Sequence, residues 1–172
     1  MKPCVMRLAA LSMVLISLTG CATSSVSVNS SSSADISEIR RVALMPSGGP
    51  LADAIGIELL SYGLDVIDTA TTTGLLARLN LDEFAVNQPQ NIRRLSERGI
   101  DTLLIVKVVA GYDGKPNSAT ARLISTKSGS LLIGSSWQNG KGGAMGSPAD
   151  GIMRGNINTA ASAIAGAIGS KL

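Results

Sequence analysis

The run Thr102-Leu103-Leu104-Ile105-Val106-Lys107-Val108-Val109 constrains the fold of this chain more than any other segment. A strand with one wet face alternates apolar and polar residues. This one is almost continuously apolar, which is the pattern of a central strand buried on both faces. Burial on both faces requires covering layers on two sides of a sheet, so the flanking segments must supply helices.

They do. Arg41-Val42-Ala43-Leu44-Met45-Pro46 reads as a buried strand, stopped by Pro46 and the turn residues Ser47-Gly48-Gly49-Pro50. Leu51 to Tyr62 places Leu51, Ile55 and Leu59 at four-residue spacing, an amphipathic helix that Gly63 ends. Leu64 to Thr69 is a second strand, and Thr72 to Leu81 a second helix with Leu75, Leu76 and Leu79 on one face. After a loop to Gln90, a short helix to Arg98 turns Ile92 and Leu95 inward and stops at Gly99. Beyond the long strand, the turns at Tyr112–Asn117 and Lys127–Gly129 imply an antiparallel meander that ends with Leu131 to Trp137. A glycine-rich loop, Gly140 to Gly146, leads to one C-terminal helix over Gly151–Leu172, with Ile157, Ala161, Ile164 and Ile168 in a stripe. The order is strand-helix-strand-helix-helix-strand-strand-strand-helix, so the expected fold is α/β, a mixed β-sheet packed with helices.

The N-terminus reads as an export address. Lys2 and Arg7 precede an apolar run, Leu8 to Leu18, that is too short for a membrane span of about 20 residues. It ends in Leu18-Thr19-Gly20-Cys21, which resembles the bacterial lipobox, whose cysteine is diacylated and becomes the first residue. The alternative is an ordinary signal peptide with a chance cysteine. The lipobox resemblance implies that Ala22, in place of aspartate, directs the protein to the outer membrane of a Gram-negative cell. Residues 1–20 are then the signal, and 21–36 are the acylated Cys21 and a serine-rich tether. Residues 37–172 form a single periplasmic α/β domain. With seven serines between Ala22 and Ile36, the tether has a linker composition and a maximum reach of about 50 Å.

Composition excludes several functions. The chain has no histidine and only two cysteines, and Cys4 leaves with the signal. A Ser-His-Asp or Cys-His centre, a histidine-ligated metal and a disulfide framework are all ruled out, so no cofactor is expected. The chain carries 15 basic and 12 acidic residues; without Lys2 and Arg7 the balance is 13 to 12, which removes the electrostatic footprint of nucleic-acid binding. Four aromatics (Tyr62, Phe84, Tyr112 and Trp137) are too few for a stacking platform. Asp65 with Asp68, and Asp82 with Glu83, are the candidate carboxylate pairs for sugar hydrolysis, against a plainer reading as strand ends and turns. Gly48-Gly49-Pro50 before a helix is a candidate anion cradle without a P-loop frame, and Arg93, Arg94 and Arg98 form a basic helix face.

Three segments together carry a family resemblance. Val42-Ala43-Leu44-Met45-Pro46, a helix, then Gly63-Leu64-Asp65-Val66-Ile67-Asp68 resembles the start of the curli-secretion lipoprotein (CsgG) domain. Arg98-Gly99-Ile100-Asp101-Thr102-Leu103-Leu104 resembles its helix end, glycine, aspartate and strand, and Arg122 to Leu132 resembles its following hairpin. The resemblance covers residues 41–138 and implies the sandwich shared with anticodon-binding-like domains, the penicillin-binding-protein activator LpoB, the N-terminal domain of TolB and the Pel polysaccharide lipoprotein PelC. There is no room for the long hairpins of a curli-type barrel, which need strands of about 9–11 residues. Ser47 stands where that family has an aromatic, and the tether is short for a synthase activator. In size and tether the chain is most similar to the Pel-type lipoproteins.

The resemblance implies a non-enzymatic accessory subunit that forms a homo-oligomeric ring under an outer-membrane export pore, in exopolysaccharide export. The alternative is a monomeric lipoprotein that regulates an envelope enzyme. Two features are candidates for subunit or membrane contact. Trp137 either plugs the core under the C-terminal helix or lies at an interface, where an indole is favoured. The C-terminal helix also carries Ala160, Ala163 and Ala167 on faces with almost no charge, and small residues let another backbone approach closely.

Overall fold

The computed structural model describes residues 24–31 and 36–172. Its centre is one six-stranded mixed sheet of order β1-β6-β5-β4-β2-β3. In chain order the elements are β1 (Ser25–Ser30), β2 (Arg41–Leu44), α1 (Gly49–Leu60), β3 (Asp65–Ile67), α2 (Thr69–Arg78), α3 (Pro89–Ser96), β4 (Thr102–Ala110), β5 (Pro116–Ser125), β6 (Leu131–Gln138), α4 (Pro148–Met153) and α5 (Ile157–Gly169). The expected α/β class is observed. Strands β3, β2 and β4 run parallel, joined through helices, and β4, β5, β6 and β1 are antiparallel neighbours.

The sheet is covered unequally. On one face α1 and α5 bury Leu51, Ile55, Leu59, Ala161, Ile164 and Ile168 against Val42, Leu44, Leu104, Val106, Leu123, Ile133 and Trp137. On the other, α2 and α3 bury Leu76, Leu79, Ile92 and Leu95 against Ala43, Met45 and Leu103. Alternate residues of β2 and β4 thus enter opposite cores, as the continuous apolar run of β4 requires. Close approach of α1 to the sheet depends on Gly56, where a Cβ would stand 2.5 Å from Leu44 Cδ1. Thr126, buried at the foot of β5, donates to Ile100 O at 2.5 Å and ties β5 to the loop before β4.

Two expectations fail. Ser25–Ser30, read as part of a flexible tether, is a strand paired in register with β6, from Ser25 opposite Gln138 to Ser30 opposite Ile133. Its serines sit at an edge where side chains face solvent, while Val28 packs on the main core. Composition there recorded an exposed edge, and pairing supplied the strand. The C-terminal helix, read as continuous from Gly151, is two helices broken at Arg154–Asn156. Asn156 starts α5 by accepting the Thr159 amide on its side chain at 3.0 Å, and Ser147 caps α4 through the Asp150 amide at 3.2 Å. Among the described residues no helix is long and apolar enough to cross a membrane.

Candidate functional site

β4 leads into β5 through a tight turn, and β6 leads into a glycine-rich loop, so both connections leave the sheet at the same end. Ser25 is there too, because β1 starts opposite Gln138 at the end of β6. One cluster of polar side chains locks these segments together.

The β4–β5 turn closes with Gly111 N donating to Lys115 O at 2.7 Å, and Gly114 takes the left-handed conformation (φ +76°) that glycine adopts without strain. Arg154, buried in the break between α4 and α5, reaches back into this turn. Its Nε donates to Asp113 Oδ2 at 3.1 Å, Nη1 to Asn117 Oδ1 at 3.3 Å and Nη2 to Pro116 O at 3.4 Å. Its guanidinium carbon also stands 5.3 Å from the centre of the Tyr112 ring, a cation–π contact. A side chain at Gly111 would collide with Arg154 Nη2, so the close approach needs glycine.

Asp150 makes the second fastening. It accepts from Tyr112 Oη at 2.7 Å and from Gly142 N at 3.1 Å. Lys115 Nζ donates to Gly151 O at 2.7 Å, and Asn139 Nδ2 donates to Pro116 O at 2.7 Å and Gly155 O at 2.9 Å. The Tyr112 hydroxyl and the Gly142 amide hold the Asp150 carboxyl below its ordinary range, and the same Asp150 bond raises the Tyr112 phenol. Burial pushes Asp113 up, but the Lys115 amide, its own amide and Arg154 outweigh it, and the carboxyl stays below the ordinary range. A cavity of about 380 Å³ lies among Tyr112, Asn117, Lys141, Met145, Asp150 and Arg154. Arg154 and Asp150, which line it, already have partners within the chain, so the cluster works as a clamp between two loops.

The other charged candidates are likewise structural. Asp65 Oδ2 pairs with Arg41 Nε at 2.5 Å, while Asp68 caps α2 by accepting the Thr71 amide at 2.7 Å. The Thr71 amide and hydroxyl lower the Asp68 carboxyl. Asp82 accepts the Ala85 amide and Glu83 the Ser47 amide, both at 2.6 Å. Asp68, Asp82 and Glu83 each hold a backbone amide, and Asp65 holds the Arg41 guanidinium. Gly48 N and Gly49 N both donate inside the chain, to Met45 O and Pro46 O, which spends two amides of the supposed anion cradle. Arg94 donates to Leu79 O at 2.7 Å; Arg93 is exposed on α3, and Arg98 is exposed two residues beyond its end.

Of the contact candidates, Trp137 is 0% exposed and packs under α1 and α5, so the core-plug alternative is the observed one. Ala160 is also 0% exposed, so neither residue offers a surface. The uncharged face of α5 is explained within the chain: it packs on α1, where Ser162 Oγ donates to Glu58 Oε1 at 2.8 Å and Gly169 lies against the Tyr62 ring. Ala163 and Ala167 stay half-buried on the flank of the same helix. Cys21 lies outside the described residues. Sequence reasoning missed the Arg154–Asp113 pair, which joins positions 41 residues apart. The signals it could have used were Ser147-Pro148-Ala149-Asp150, a helix start with an acid three residues on, and Asn156, a second cap two residues after Arg154.

The fold and this clamped end define an α/β domain whose mixed sheet carries helices on both faces. No family model and no curated protein sequence matches the chain. Among solved structures it is similar to two of the PelC dodecamer from Paraburkholderia phytofirmans. They are 14% and 13% identical at a TM-score of 0.45, covering 83% of this chain and 98% and 97% of theirs. It is also similar to lipoprotein GNA1162 from Neisseria meningitidis, 20% identical at a TM-score of 0.45, covering 60% of this chain and 84% of that one.

Proposed function

We propose that the chain is a lipoprotein of the outer membrane, held through Cys21 and facing the periplasm, that serves as a homo-oligomeric accessory subunit of an exopolysaccharide-export pore. The observation that carries the reading is the lipobox Leu18-Thr19-Gly20-Cys21 placed directly before the domain. A diacylated, N-acylated cysteine holds a protein in lipid far more firmly than one chain could. Residues 1–20 are the signal in this reading, and Ser25, at the start of β1, follows Cys21 by four positions.

Copies tethered so closely share one membrane plane, which raises their effective concentration and favours assembly. A head-to-tail contact that closes makes a ring. The surfaces available for it are the two unlike edges of the sheet: β1 on one side, and β3 with the exposed Ile57 and Leu60 of α1 on the other. The half-buried Ala163 and Ala167 on the flank of α5 are the other candidate contact.

The test is in two parts. Mass spectrometry of the purified full-length product should show acylation at Cys21, and Cys21→Ser should leave the protein unprocessed. Light scattering of the solubilised lipoprotein, with cross-linking in intact membranes, should show one defined oligomer. A strictly monomeric protein in both would replace the ring with the regulator of an envelope enzyme.

A further inference from the structure

The clamped end of the domain carries a surface that its hydrogen bonds do not explain. Met145 and Ile152 are 82% and 83% exposed, and Val109 near the end of β4, Tyr112 in the turn after it and Met153 on α4 are exposed at the same end of the domain. Single exposed apolar residues are ordinary, but a set gathered at one end of a fold marks a contact surface. The clamp makes this set rigid. Arg154 and Asp150 fasten α4 and its loop to the turn, so the apolar side chains project from one body rather than from two loose loops.

Charge selects the occupant. In residues 105–118 and 139–155 the only carboxylates are Asp113 and Asp150, and both are engaged with Arg154 and Tyr112. Lys107 and Lys141 are exposed on the same segments. Apolar side chains with a tyrosine and with cations lacking competing acids fit the boundary of an anionic lipid layer, where acyl chains take the first and headgroups the last. The position of the chain points the same way. Ser25, at this end of the sheet, follows Cys21 by four residues, which reach at most about 14 Å.

We propose that this end, with Val109, Tyr112, Met145 and Ile152 foremost, seats directly on the lipid surface that holds the acylated Cys21. The proposal rests on the lipoprotein reading and extends it: the anchor sets the distance and the apolar end sets the orientation. The sheet then stands end-on to the membrane, with the Lys127–Gly129 turn at the far end.

The experiment uses the full-length lipoprotein, with Met145→Cys or Ile152→Cys carrying an environment-sensitive NBD label and Ser128→Cys as the distal control. It is reconstituted in vesicles of phosphatidylethanolamine and phosphatidylglycerol. Flotation and mass spectrometry first establish that the protein is acylated and bound; a protein that is neither overturns the lipoprotein reading. With the anchor present, labels at 145 and 152 should shift to the blue, resist aqueous dithionite and be quenched by brominated acyl chains, while the label at 128 does none of these. Equal dithionite access at all three sites overturns the seating and leaves the anchor standing. Protection at 145 and 152 that disappears as copies per vesicle are reduced, without acyl-chain quenching, assigns the surface to a second copy and also overturns it.

Discussion

The parallel and antiparallel halves of the sheet solve burial differently. In the parallel half, β2 and β4 send alternate residues into two cores: Val42 and Leu44 toward α1, Ala43 and Leu103 toward α2 and α3. Along most of β5 only the α1–α5 side is covered, and the strand alternates in response, with Ala119, Ala121 and Leu123 buried and Thr120 and Arg122 exposed. A strand between two helix layers has no polar side and reads as an unbroken apolar run; a strand covered on one face must alternate. At β1, with only Val28 reaching the core, the apolar signal falls below what distinguishes a strand from a linker.

The largest test of this contrast is Trp137→Ala. In the antiparallel half one side chain fills much of the space under α5, so its loss should cost roughly 3–5 kcal/mol in urea unfolding. Unchanged stability with a changed oligomer would return Trp137 to the surface role and undo the assignment of the core. The corresponding test in the parallel half is Gly56→Val, which forces atoms onto Leu44 and Val66. Overpacking there should cost about 1–3 kcal/mol, and a neutral result would mean that α1 can withdraw from the sheet.

A smaller effect sharpens the boundary between α4 and α5. Asn156→Ala removes the α5 cap and should lower stability by about 1 kcal/mol, with extra hydrogen exchange confined to the first turn of that helix. If α4 and α5 instead fused into one continuous helix, exchange over residues 154–157 would slow.

The smallest effect is the pH response of the clamp. Asp113 and Asp150 have folded pKa values below their unfolded ones, so their contribution is full above about pH 4 and is lost as pH falls through the lowered values. Tyr112 is raised, so its contribution is full below about pH 10 and is lost as pH rises through the raised value. Proteolysis within residues 139–155 should therefore be slow and flat across neutral pH and accelerate at both extremes. Arg154→Ala should abolish the flat region, whereas cleavage unaffected by that substitution would show that the loop is held by something else.

Most of the strands and helices could be read from residue periodicity, because each states its own burial. Leu51, Ile55 and Leu59 mark the buried face of α1 wherever that helix is placed, and Leu103 to Val106 demand cover regardless of what provides it. The helix boundaries are displaced by two or three residues, since Gly49 and Pro50 join α1 and Asp68 starts α2 one turn early. The clamp was legible only in pieces. Tyr112-Asp113-Gly114 announces a turn, but nothing local to Arg154 names Asp113 as its partner.

What the sequence determined by itself is therefore the α/β class, the cover on both faces of Leu103 to Val106 in β4 and the glycine stops at Gly63 and Gly99. Tertiary structure alone decided three things. Ser25–Ser30 becomes a strand because the open edge of β6 offers hydrogen bonds that a serine-rich segment in isolation lacks. The small residues of α5 face α1 and the sheet, because an alanine fits another copy of the protein as well as its own chain and only proximity chooses. Arg154 bridges to Asp113 because the sheet brings two loops to one end, and the electrostatic partner of a buried charge is set by distance in space, which residue spacing does not encode.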